Sequence, residues 1–253
     1  MKQFGFYFLC TLLLSTTVFS CGGYDDEGNG NTDKSISAPI DAKAIDLGLS
    51  VKWANMNIGA KHPWEDGYFF SWGEIFTKDN YSIETYSLTS DGGNAFIRYD
   101  EGKCELEKYD DVARIKWGEK WRMPTEKEME ELCNNCFWRW TERYNNNDVS
   151  GYMIFKVKDD EDRGKVSLDG SFITKNAIYQ YSDNHIFLPS SGIMVGTLHR
   201  KYTGEAGDDP LGEYWTSTLG EKKSSAVTLD FCSSWYKRTD VLREVGLPVR
   251  AVQ

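Results

Sequence analysis

The sequence predicts a single α+β domain rich in irregular loops, with strands at both ends and two adjacent helices between them. Three observations carry this. Short apolar runs punctuated by Gly and Pro lie near both ends of residues 41–253, the pattern of brief strands. Two neighbouring stretches, 106–117 and 125–136, place apolar residues at helical spacing. The chain of 253 residues carries nine Trp, 14 Tyr and 23 Gly with little aliphatic periodicity, which suits loops pinned by aromatic side chains.

Residues 1–40 stand apart from that domain. Met1-Lys2 precedes an apolar run from Phe4 to Phe19, too short for an ordinary transmembrane helix and arranged like a secretory signal. The run ends in Val18-Phe19-Ser20-Cys21. An aliphatic residue three before a cysteine, with a small residue directly before it, resembles the bacterial lipobox. Residues 1–20 are therefore expected to be removed as a lipoprotein signal peptide and Cys21 to carry a diacylglycerol. Each buried acyl CH₂ contributes about 0.8 kcal/mol, so two or three chains anchor the protein stably. The alternative is a plain signal peptide that ends near a cysteine. Residues 21–40 are Gly-, Asn-, Ser- and Asp-rich and read as a flexible tether. Asp25-Asp26-Glu27 resembles the surface-export signal of Bacteroidetes lipoproteins; the bland reading is a polar linker.

Within residues 41–253, Ala44 to Asn57 reads as one or two strands, and residues 78–103, polar and Gly-rich, as a long surface loop. A first helix is predicted over Leu106–Trp117, with Tyr109, Val112, Ala113 and Trp117 on one face and Gly118 as its stop. Thr125-Glu126-Lys127-Glu128 is a capping box that opens a second helix, whose Met129, Leu132, Cys133 and Cys136 share a face. Between the helices Trp121 and Met123 are expected in the core, with Pro124 fixing the helix entry. After Trp140 the pattern turns to β: Gly151–Val157, His185–Pro189, Glu213–Thr218, Ala226–Phe231 and Leu247–Val252.

Composition narrows the function. There are 29 Lys+Arg against 39 Asp+Glu, a formal net charge of −10, and no basic patch, which argues against nucleic acid as a partner. Of six cysteines, Cys10 lies in the leader and Cys21 is the lipid site. Cys104, Cys133, Cys136 and Cys232 remain, and their pairing is open. Cys133 and Cys136 form a C-x-x-C at the end of a helix, where no dipole lowers the thiol pKa, so they read as buried thiols or a disulfide. His62, His185 and His199 lie far apart; His185 precedes a buried strand and reads as a hydrogen-bonded core residue. Asp110 and Asp111 fall on the first predicted helix, where charge is usually solvated, and Asp208/Asp209 are a second adjacent pair. Asp159–Gly164 reads as a hairpin turn, since Arg163 falls where a calcium loop needs an oxygen. No metal and no cofactor are expected.

Several phrases then line up in order: DLGLSVKWANMNIGA (46–60), GYFFSWGE (67–74), DDVARIKWGEKWRMPTEKEMEEL (110–132), GYMIF (151–155), IFLPSSG (186–192), GEYWTST (212–218) and REVGLPVRAV (243–252). Together they resemble the Fibrobacter succinogenes major paralogous domain of Bacteroidetes surface lipoproteins. The run from WRMPTEKE to the C-terminal Gly and Arg is more distantly similar to the formylglycine-generating enzyme family. The resemblance implies one C-type-lectin-like domain with two helices, a small twisted antiparallel sheet and terminal segments that meet. It does not extend to that family's copper chemistry, which uses two C-terminal thiols where this chain has only Cys232.

What remains is a binding surface, because exposed aromatic rings stack on sugars and anchor interfaces at low entropic cost. The candidates are Trp64, Tyr81, Tyr86, Tyr202, Trp235 and Tyr236, while Trp53, Trp72, Trp121 and Trp215 are expected in the core. The expectation is an outer-membrane, cell-surface lipoprotein with a non-catalytic binding or adhesion role toward a glycan, a host protein or a neighbouring envelope protein. The alternatives are an enzyme using Cys232 or the Cys133/Cys136 pair, and a structural envelope component. Mass spectrometry of the native protein is expected to find a lipid-modified Cys21 as its first residue. An unmodified Cys21 would remove the tether.

Overall fold

The computed structural model describes residues 37–99, 102–167, 178–201 and 211–253. Cys21, Tyr202, Asp208 and Asp209 lie outside those residues. The elements run β1 (Ala44–Ile45), β2 (Trp53–Ala54), β3 (Thr89–Ser90), β4 (Ala95–Phe96), α1 (Val112–Trp117), α2 (Glu126–Asn135), β5 (Cys136–Thr141), β6 (Gly151–Lys156) and β7 (Val166–Ser167). They continue with β8 (His185–Pro189), β9 (Ile193–Val195), β10 (Leu198–Arg200), β11 (Gly212–Leu219), β12 (Ser225–Cys232) and β13 (Trp235–Leu242). Two helices and several small, mainly antiparallel sheets make this an α+β chain.

The first helix is shorter than its spacing predicts. Glu105 and Leu106 are extended, because Glu105 bridges to Thr218 and the Leu106 N–H donates to the Ser217 carbonyl at 2.9 Å. Asp111 then starts α1 as its N-cap, accepting from the N–H groups of Ala113 and Arg114 at 3.0 and 3.1 Å. Its other oxygen accepts from the Met123 N–H at 2.9 Å. Asp110 is held by Arg98 and by the Tyr99 hydroxyl. Both carboxylates are buried rather than solvated on a helix face, and Tyr109 is exposed.

The second helix begins as predicted. The Thr125 Oγ1 accepts from the Glu128 N–H at 3.3 Å, and the Glu128 carboxylate accepts from the Thr125 N–H at 2.8 Å. Met129 and Leu132 are buried. Cys136 has left helical geometry and opens β5, so the C-x-x-C straddles a helix–strand junction.

The expected small antiparallel sheet is in fact several. A four-stranded sheet has the order β7-β5-β6-β8, with β5 and β7 parallel, and a three-stranded sheet has the order β11-β12-β13. Because β7 pairs beside β5 rather than β6, Asp159–Gly164 is a crossover built on a short 3-10 turn, Asp160–Asp162, and not a hairpin. Residues 78–103 are not simply a surface loop either. Tyr81, Tyr86 and Tyr99 plug the core there, beside the β3–β4 hairpin. β13 (WYKRTDVL) has no continuous apolar run, and none of its residues is buried.

Trp53, Trp72, Trp121, Trp215 and Met123 are buried as expected. The terminal segments also meet. Phe70 and Ile58 donate to the carbonyls of Leu247 and Val249 at 3.0 Å, and Ala54 to that of Ala251 at 2.8 Å. No regular strand forms over Leu247–Val252, because its residues pair with different segments in turn, Leu247 with Phe70 and Val252 with Trp53 and Arg122. Two arginines close this region from inside. Arg250 is fully buried and donates to the Asn57 side-chain carbonyl at 2.8 Å, the Ala54 carbonyl at 3.1 Å and the Phe187 carbonyl at 2.8 Å. Arg243, equally buried, donates to the Tyr86 hydroxyl at 2.9 Å and to the main-chain carbonyls of Arg98, Tyr99 and Lys223. Its guanidinium lies 4.8 Å from the centres of the Trp72 and Phe96 rings.

Arg250→Ala would strand those three acceptors around a side-chain-sized void. It is expected to lower unfolding stability by about 3–5 kcal/mol, read as a shift in the urea midpoint at unchanged slope.

Candidate functional site

One amphipathic groove lies where α2 crosses β12 and β13. Two side chains of β13 tie it to the helix. The Tyr236 hydroxyl donates to the Cys133 carbonyl at 2.9 Å, and the Arg238 Nε donates to the Glu126 carboxylate at 2.6 Å. Two-residue alternation along β13 puts Tyr236 and Arg238 on the same face, so both reach α2. The Tyr236 ring stacks on Trp138 with centroids 4.5 Å apart, which fixes its position. The groove encloses about 350 Å³. Met129, Cys133, Leu229 and Tyr236 give it an apolar floor, while Thr228 and Arg238 supply polar atoms. Glu130 and Asn134 stand exposed at the rim.

The six aromatic candidates do not form one surface. Tyr81 and Tyr86 are corrected to core residues. They are 4 % and 3 % exposed, and their hydroxyls donate to the carbonyls of Phe69 at 2.7 Å and Trp72 at 2.6 Å. Burial pushes the Tyr81 hydroxyl up to about 12. Trp64 is half-buried and stacks on His62 at 4.7 Å. Trp235 is 37 % exposed with the Lys237 ammonium 4.5 Å from its ring centre, but it sits on the face of β13 opposite Tyr236. Tyr236 alone lines the groove, and Tyr202 falls outside the described residues.

Among the described residues all four thiols are free, and only that of Cys104 is exposed. Burial pushes the thiols of Cys133 and Cys136 up to about 12. Both therefore stay protonated at neutral pH, and the thiolate that nucleophilic or redox chemistry needs is disfavoured. Cys232 is buried, with its Sγ 3.4 Å from the Ser234 hydroxyl. His185 is the hydrogen-bonded core residue expected: Nε2 lies 2.9 Å from the Tyr144 hydroxyl and Nδ1 2.8 Å from the Asp183 carbonyl. Burial lowers its pKa and keeps the ring neutral. Among the described residues, no three His, Cys, Asp or Glu side chains converge as metal ligands would.

Among known proteins, the chain matches no family model, no curated protein and no solved structure.

Two facing carboxyls, one of them buried, also lie in the β11-β12-β13 sheet. Glu213 on β11 stands directly opposite Asp230 on β12, which stands opposite Lys237 on β13. Glu213 is 5 % exposed and accepts from the Thr228 hydroxyl at 3.3 Å. Burial, then the charge of Asp230, pushes its carboxyl from the ordinary 4.5 up to about 8. Burial raises Asp230 as well, opposed by Lys237 at 3.7 Å. No sequence signal marks Glu213: GEYWTST is neither a continuous apolar run nor an alternating one, and Glu213 is buried because β11 is covered along its length.

Brief alkylation at neutral pH is expected to modify Cys104 well before Cys133, Cys136 or Cys232, as read by peptide mass spectrometry; prompt modification of Cys133 would contradict its buried, protonated state. Glu213 holds its proton in the folded chain at pH values where the unfolded chain has released it. Its stabilisation is therefore complete below about 4.5 and is lost as pH rises through about 8. Wild type is expected to lose on the order of a few kcal/mol across that window. Glu213→Gln should flatten the slope of stability against pH there.

Proposed function

We propose that this chain is an outer-membrane lipoprotein, held through Cys21, whose domain binds a glycan without transforming it. The lipobox-like Val18–Cys21 and the polar residues 21–40 support the anchor and tether. The ordered phrases from DLGLSVKWANMNIGA to REVGLPVRAV support membership of the Fibrobacter succinogenes major paralogous domain family and a C-type-lectin-like arrangement of the α+β elements. Terminal segments that pair, and a helix opened by Met123-Pro124-Thr125, agree with that arrangement.

The observation that carries the binding reading is the groove between α2 and β12–β13. Its volume of about 350 Å³ falls at the lower end of the usual range for small-molecule sites, roughly 300–1,000 Å³. A sugar ring has apolar C–H faces and a girdle of hydroxyls. The groove offers the complementary pair: an apolar floor with a Tyr ring, and a rim of carboxylate, amide, hydroxyl and guanidinium groups. The neighbouring thiol of Cys133 is protonated, so the site offers contact rather than a nucleophile.

A glycan array probed with the purified protein tests this. Asn134→Trp places a bulky side chain at an exposed rim position and is expected to weaken binding by about tenfold or more with the fold intact. Trp235→Ala, on the other face of β13, should leave binding unchanged. Binding that ignores Asn134→Trp but disappears in Trp235→Ala would move the site to the opposite face.

A further inference from the structure

We propose that two copies of this chain associate by antiparallel pairing of their β13 strands, joining two three-stranded sheets into one of six strands. β13 is the edge of its sheet, and none of its eight residues is buried. It follows β12 after the two-residue turn Ser233-Ser234, and Cys232 pairs with Trp235 across that turn. The pair that closes such a turn is hydrogen-bonded, and hydrogen-bonded pairs then recur every second residue. The main-chain groups of Trp235, Lys237, Thr239 and Val241 therefore face β12. Those of Tyr236, Arg238, Asp240 and Leu242 face outward. Among the described residues, the outward groups of Tyr236, Arg238 and Asp240 have no main-chain partner.

Edges are commonly protected by charge. Here the charges select one self-pairing register instead of blocking all of them. With a two-fold axis at Thr239, Arg238 faces Asp240 of the second copy, and Asp240 faces its Arg238. Tyr236 then faces Leu242, which is 50 % exposed in the single chain, and Lys237 faces Val241. Every outward residue meets an outward residue, so the main-chain hydrogen bonds close. A slip of one residue would set outward groups against inward ones. Moving the axis to Arg238 or to Asp240 sets like charges directly opposite each other, which is destabilising. Within one chain the Arg238 Nη1 already lies 2.9 Å from the Asp240 carboxylate, so pairing would gather both ion pairs into one alternating cluster.

Sedimentation equilibrium of the purified protein over a concentration series reads the association. Wild type is expected to shift from one to two chains as concentration rises. Arg238→Asp alone and Asp240→Arg alone should each remain single chains, and their equimolar mixture should recover the dimer, because opposite charges again face each other. Asp240 also accepts from the Glu221 N–H at 2.7 Å, so Asp240→Arg needs a circular-dichroism check of folding. Should that variant not fold, Arg238→Pro provides the second test, since it removes an outward N–H unused in the single chain and should abolish the dimer. A wild type that stays a single chain at every concentration overturns the proposal. So does a dimer that survives Arg238→Asp or Arg238→Pro.

Discussion

The structure depends on a guanidinium with no carboxylate partner in its hydrogen-bond shell. Arg250 sits fully buried, and burial pushes its pKa down to about 10, so it still carries its charge at neutral pH. Such a charge is tolerated only when its donors are met. Each of its three nitrogens donates to an oxygen, of Asn57, Ala54 and Phe187, which belong to segments far apart in the sequence. One side chain thus couples the C-terminal segment to β2, to the turn that follows it and to β8. Lysine could not replace it, because three donors on one nitrogen do not span three acceptors set around a plane. Arg243 repeats the device at the other end of the same segment, with carbonyls and aromatic faces in place of anions.

Much of this was legible in the sequence where a local rule decides the outcome. The capping box at Thr125 named the start of α2 because both of its hydrogen bonds are made between residues three apart. Trp53, Trp72, Trp121 and Trp215 lie in the core as expected, because a large aromatic ring gains most by leaving water. The meeting of the terminal segments was also anticipated. Most of the misreadings share one cause: a long-range partner outweighed a local pattern. Leu106 has helical spacing but is taken by β11. Asp110 and Asp111 look like solvated helix charges but become a buried anchor and a cap. Tyr81 and Tyr86 look like exposed loop aromatics, yet Arg243 and nearby carbonyls fix them inside. β13 carries Lys, Arg and Asp because none of its side chains is buried, so it lacks the apolar run by which the other strands show.

The candidate groove shows the same division. Cys133, which reads as a buried thiol, and Tyr236, a candidate binding aromatic, both line it, whereas Cys136 does not. The sequence could not show that α2 crosses β13, that a Tyr hydroxyl would bridge to the Cys133 carbonyl, or that Trp235 and Tyr236 would face apart. Burial then decides the chemistry of the thiols, and it leaves Glu213 protonated beside Asp230. Charges at these places are set by solvent exclusion far more than by the residue types alone.

Native-state hydrogen exchange addresses the central claim most directly. If Arg250 locks the C-terminal segment to the rest, the amides of Ala54, Ile58 and Phe70, which donate into that segment, should exchange only through global unfolding. Their opening free energies should then match the stability measured with denaturant. Exchange of these three amides through a smaller, local opening would show that the segment frays independently, and would contradict the account.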